Sequence, residues 1–174
     1  MKRDSVVRKH PLLYCLAGLL CVLSALTPAR ADTTPPFDTE VAGMALMKLI
    51  SGPEALQAIN KLHGTAIPMK KGFIAHYLGT QGKAVVWVSE APSVEAGTEQ
   101  IDVMIEKMKG NERSPFRNYG QSLVDKTPVI RFHGMGQVHA VFQIDAWVYW
   151  ISADDQDMDV LLTHLCKPQS ANLQ

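Results

Sequence analysis

Between Thr127 and Ser152 three strand-like runs follow one another, "TPVIRFHG", "VHAVFQI" and "AWVYWIS", with no room for a helix between any two of them. β-Branched and aromatic residues fill each run, and turn formers bound it. Parallel neighbours need a crossover connection, usually a helix, so these strands must pair antiparallel. That restriction decides the fold class. Two further runs, "GFIAHYLG" and "KAVVWVSE", are joined by "GTQGK" in the manner of a hairpin. The expectation is an α+β domain: an antiparallel sheet of about five strands with helices packed mainly on one face.

Helical periodicity surrounds these runs. From Thr39 to Ile50, the residues Val41, Met44, Ala45, Met47 and Leu49 predict a first helix with one apolar side. Ser51 then offers a cap, Pro53 a first-turn proline, and Glu54 a partner three residues after the cap. The second helix would turn Leu56, Ile59 and Leu62 inward and stop at Gly64. A third carries Val94, Ile101, Met104, Ile105 and Met108 and ends at Gly110-Asn111. Residues 111–127 read as an irregular connection with room for a short edge strand. A last helix from about Asp155 places Met158, Leu161, Leu162 and Leu165 on one side, with aspartates at its dipole-favoured start.

The first 31 residues read as a cleavable signal peptide. Lys2, Arg3, Arg8 and Lys9 precede a short apolar run, and "TPARA" supplies small residues at Ala29 and Ala31. The run is shorter than a spanning helix needs, and Pro28 breaks it. The expected product is periplasmic or secreted, cut after Ala31; an uncleaved N-terminal anchor is the alternative. Residues 32–38 would be a flexible lead-in, 39–166 one domain and 167–174 a tail. The precursor balances 17 basic against 17 acidic residues; removing the leader leaves 12 against 16. A mildly acidic chain has no electrostatic footprint for nucleic acid or an anionic membrane, so neither is an expected partner. Only Cys166 survives cleavage, so no internal disulfide holds the fold, and it reads as a small buried residue.

The densest cluster of chemistry-bearing residues is "RFHGMGQVHA", residues 131–140. A phosphate loop would have to lead into a helix, and a strand follows here, so the glycines read as a hairpin turn. With the apolar sets of both strands packed together, alternation puts Arg131, His133, His139 and Gln143 on one polar face, with Met135 at the tip. His133, Met135 and His139 could then hold copper or zinc, although Arg131 beside them opposes a cation. Haem held by histidine and methionine is a further possibility, without the C-x-x-C-H of covalent attachment. His63 reads as a residue capping a helix end, and His76 as a half-buried strand residue. Met44, Met47, Met104, Met108 and Met158 read as adaptable core, or as the lining of a forgiving apolar groove. Alternation sends Trp147 and Tyr149 one way and Trp150 the other, towards a pocket or partner. No nucleophile elbow, zincin motif or Cys–His pair is visible.

From Gly72 to Leu165 the order of elements, "GFIAHYLGTQGKAVVWV", a helix, then "GQVHAVFQIDAWVYWISADDQDMDVLLTHL", resembles the extracytoplasmic domains of bacterial transmembrane anti-sigma factors. "EALQAINKLHG" resembles the "IN-G" helix of a secreted bacterial family of unknown function. The chain departs from anti-sigma factors in having too few residues before the apolar run to hold a sigma factor, so sigma binding does not carry over. What the resemblance implies is a periplasmic sensory or interaction module that binds without catalysing. The expected function is therefore an exported module binding a protein or small-molecule ligand, with no cofactor and with Arg131, His133, Met135, His139 and Trp150 as its surface. The alternative is a copper-, zinc- or haem-handling protein using His133, Met135 and His139.

Overall fold

The strand-forming runs pair as their spacing requires. A computed structural model describes residues 37–64, 66–80 and 82–167, so the expected leader, most of the lead-in and the tail beyond Lys167 lie outside the described residues. The elements are β1 (Glu40–Val41), β2 (Met44–Ser51), α1 (Gly52–His63), β3 (Lys71–Leu78), β4 (Lys83–Glu90) and α2 (Val94–Gly110). They continue with β5 (Arg117–Val124), β6 (Thr127–Gly134), β7 (Gln137–Ile144), β8 (Trp147–Ala153) and α3 (Asp155–Leu165). All strands join one antiparallel sheet in the order β1-β2-β3-β4-β8-β7-β6-β5. The two halves of the chain meet at the centre, where Val86 faces Ile151 and Trp87 faces Trp150.

Three two-residue turns build the β5–β8 meander. Val124 pairs with Thr127, Gly134 with Gln137 and Ile144 with Trp147. Met135 and Gly136 have φ of 52° and 78°, the left-handed pair that a type I′ turn demands. Asp125 and Lys126 repeat it at 49° and 70°. These turns match the right-handed twist of the strands and fix register without a loop.

Both faces of the sheet are covered. Residues of one parity, among them Val86, Ala140, Phe142, Tyr149 and Ile151, pack with Met158, Leu161 and Leu162 of α3. Phe142 and Tyr149 stack there at 4.7 Å. Residues of the other parity meet α1 and α2: Ile74 packs with Ala55 and Ile59, while Phe132, Val141 and Trp150 pack with Ile101 and Ile105. β7 is consequently buried along both sides from Val138 to Phe142.

Three expectations are corrected. The helices do not pack mainly on one face: α3 covers one side of the sheet, and α1 and α2 cover the other. The sheet has eight strands, not about five. The segment expected as a first helix is β1 and β2, because β3 would otherwise present a bare edge and β2 pairs with it along its length. Met, Ala, Leu and Lys favour helices by tenths of a kcal/mol each, about 0.7 at most between ordinary residues, which a ladder of hydrogen bonds outweighs. β5 is the outer strand, polar and exposed along its length except at Tyr119 and Val124. Elsewhere the helix signals hold. α1 follows Ser51, has Pro53 in its first turn and ends where Gly64 turns left-handed at φ 68°. Cys166 caps α3, its N–H donating to Leu162 O. Its thiol is buried and pushed up to about 12 by that burial, which keeps it a protonated, inert group.

Candidate functional site

The structure separates the residues that alternation alone had grouped. In the β6–β7 hairpin Phe132 faces His139, whereas His133 faces Val138 and Arg131 faces Ala140. Cross-strand partners share a face, so His139 lies opposite in face to Arg131 and His133. The expected common polar face does not form, because both faces of β7 are buried and the premise of one solvated face fails. Arg131 points to the α3 side, its guanidinium 2.6 Å from Asp159. His133 is exposed, Met135 stands out at the turn tip, and Gln143 reaches across to the start of α2. His133, Met135 and His139 are not brought together as a ligand set, and among the described residues no three His, Cys, Asp or Glu side chains converge.

His139 and Trp150, by contrast, belong to one buried cluster. His139 Nε2 lies 3.0 Å from Gly134 O and therefore carries the proton it donates. Its Nδ1 accepts from Ser152 Oγ at 2.7 Å and from Trp150 Nε1 at 3.2 Å. Phe132 stacks on the imidazole, and Phe116 meets both His139 and Trp150 edge-on. Burial holds His139 below the ordinary histidine value, and the Gly134 carbonyl opposes that shift only in part. A serine hydroxyl on an imidazole is the start of a nucleophile–base pair. Here, though, Ser152 is only 3% exposed and the far nitrogen is fixed on a backbone carbonyl. The cluster ties the turn of β6 and β7 to β8.

Above this cluster α1 and α2 leave a hollow of about 410 Å³. Phe116 and Trp150 line it from the side of the sheet. Leu62 and His63 come from the last turn of α1, and Ile67 and Pro68 from the loop after it. One side of α2 contributes Ala96, Val103, Met104 and Met108, together with the polar Glu99, Gln100 and Lys107. The spacing is helical, and it puts an apolar middle between two polar ends. Gln100 donates its amide to Pro68 O at 2.8 Å, leaving its Oε1 buried without a partner. Burial, reinforced by the charge of Lys107, holds His63 below the ordinary histidine value, so its imidazole is neutral at neutral pH. Among the described lining residues none carries a hydroxyl or thiol nucleophile. A second hollow of about 470 Å³ lies across α2, beneath β5 and β6, with Thr98, Asp102, Gln121, Ser122 and Gln143 in its walls. Its lining is the more polar of the two and it has no aromatic floor of comparable size.

Of the five residues expected to form a surface, Trp150 alone lines the α1–α2 hollow. Leu62, His63, Val103, Lys107 and Phe116 were missed as site residues. Met104 and Met108 were the available signal: a methionine stripe read as core or as groove lines both here. No family model matches this chain, and no curated protein and no solved structure matches it.

Proposed function

We propose that this chain is exported, loses its leader after Ala31, and binds a small apolar ligand without transforming it. The observation that carries the proposal is the α1–α2 hollow. Its volume falls in the range of small-molecule sites, roughly 300–1,000 Å³, and its walls are apolar with a few polar groups at the edges. Phe116 and Trp150 offer flat aromatic surface, and Met104 and Met108 adapt to ligand shape. The buried Gln100 Oε1 is an acceptor waiting for a donor. The resemblance to extracytoplasmic binding modules agrees with this reading.

The test is titration with N-phenylnaphthylamine, a neutral dye whose emission rises in apolar surroundings. The native chain is expected to bind it, and Val103→Trp and Leu62→Trp, which fill the hollow from exposed helix positions, are each expected to abolish binding with unchanged circular dichroism. Dye binding that survives in both variants, or no binding by the native chain, overturns the proposal. Export is checked by expression in a Gram-negative host. A periplasmic product beginning at Asp32 supports it, and a full-length product retained in the membrane overturns it.

A further inference from the structure

We infer that the hollow between α1 and α2 takes a single-chain amphiphile with an acidic head group, the chain lying along Val103 and Met104 and the head at Lys107 and His63. This rests on the ligand-binding reading above and adds the chemical class. The polar groups of the walls are divided: Glu99 and Gln100 stand at one end of the α2 stripe and Lys107 at the other. Roughly 10 Å of helix separates Gln100 from Lys107, and between them α2 lines the hollow only with Val103 and Met104. An elongated molecule with one polar end fits that division.

The sign of the head group follows from the charges. Among the described residues Lys107 has no carboxylate partner, so its ammonium is free to meet an anion. His63 lies close enough to feel that charge, and as a neutral imidazole it can donate a hydrogen bond to a carboxylate without adding a second cation. The last carbonyls of α1 carry partial negative charge beside His63, so the full charge of Lys107 has to supply the attraction. Glu99 repels an acid at the opposite end, which fixes the orientation. A hollow of about 410 Å³ holds one short chain rather than the paired chains of a membrane lipid.

The experiment is calorimetric titration of the native chain, Lys107→Gln and Lys107→Arg with decanoate, decanol and decyltrimethylammonium. Decanoate is expected to bind up to roughly fivefold tighter than decanol, and decyltrimethylammonium weakest, as one partly exposed ion pair allows. Lys107→Gln should erase the preference by weakening decanoate alone, and Lys107→Arg should keep it. Equal affinities for decanoate and decanol in the native chain, or a preference that survives Lys107→Gln, overturn the head-group assignment while dye binding still upholds the cavity. Decanoate binding that survives Val103→Trp overturns the assignment as well, since the ligand then sits elsewhere. Loss of dye binding in the native chain removes the parent reading on its own, so the two failures are distinguishable.

Discussion

Under α3 the central strands present alanines, Ala75, Ala84, Ala140 and Ala153, each at most 1% exposed, and one helix buries Met158, Leu161 and Leu162 over them. Under α1 and α2 the same strands present Trp87, Phe132, His139 and Trp150, and two helices divide the cover between them. One helix over these alanines and the stacked Phe142 and Tyr149 closes the first face as a continuous apolar layer. Bulky aromatic residues fill the centre of the second face but leave the seam between its helices open. Leu62 and Val103 at that seam are 45% and 42% exposed, against 0% for Leu161 and Leu162. The same sheet thus supports a closed core on one side and a lined hollow on the other. The difference comes from how many helices share the cover.

The largest expected effects test this contrast directly. Leu161→Ala or Leu162→Ala should cost about 3–5 kcal/mol, the range for leucines deleted from a rigid core. Val103→Ala, on the seam, should cost less than about 1 kcal/mol. Urea unfolding with unchanged m-value measures both. A Val103→Ala cost as large as that of Leu161→Ala would break the comparison, because the seam would then be as well packed as the core.

Gly134→Ala sharpens it from below the hollow. A Cβ there would collide with the ring of Phe116, which also lines the hollow and packs against Phe132, His139 and Trp150. An overpacked position of this kind costs about 1–3 kcal/mol. The displaced ring has the hollow as its open neighbour, so N-phenylnaphthylamine binding should weaken. Nuclear magnetic resonance signals of Leu161 and Leu162 methyls, on the far face, should stay in place. Shifts on both faces would mean that the two sides are mechanically one.

His139 gives the second face a pH dependence of its own. Its Nδ1 is occupied as an acceptor and its Nε2 as a donor, so a second proton costs the Trp150 hydrogen bond and turns the Ser152 hydroxyl from donor to acceptor, in addition to the cost of burial. The folded value lies below the ordinary 6.5, so the unfolded chain takes up the proton first as the pH falls. The stability is fully present above 6.5 and declines below it, by up to about 1.4 kcal/mol per pH unit while folded His139 stays neutral. Chemical denaturation between about pH 7.5 and about pH 5.5 should show this decline, and His139→Gln should reduce its slope, with His63, also held below 6.5 by burial, keeping the rest. An identical slope in the variant would assign the effect to other groups.

Much of this contrast was legible in the sequence, and its limits are physical. The strands β3, β4, β6, β7 and β8 were readable because β-branched and aromatic residues bounded by turn formers suit a buried pleated surface. α1 was readable from Pro53 and Gly64; Ser51 stands at the cap position, but its side chain makes no cap hydrogen bond. β2 was not, because Met, Leu and Lys fit a helix equally well and only the edge of β3, distant in sequence, decides. β5 was legible only as room for a short edge strand, since an exposed outer strand needs no apolar alternation. The histidine hairpin was located correctly as a turn, but its facing depended on whether one side of β7 met water. Burial on both sides put His139 among aromatic residues and left His133 outside. Met104 and Met108 carried the groove signal without saying that His63 and Lys107 would join them, because that neighbourhood exists only once α1 and α2 lie side by side.

The smallest effect concerns an ion pair of the closed face. Arg131 meets Asp159 of α3 at 2.6 Å, but the Asp159 side chain is 77% exposed and that of Arg131 32%. At such exposure water screens the attraction, and holding two long side chains costs entropy that offsets most of the gain. Asp159→Asn should therefore cost no more than about 0.5 kcal/mol at low salt, and less at high salt. Thermal or urea unfolding at two ionic strengths checks both statements. A cost several times larger would mean that α3 is held by charge as well as by its leucines. The closed face would then owe its closure partly to the same kind of directed polar contact that ties His139, Ser152 and Trp150 together on the other side.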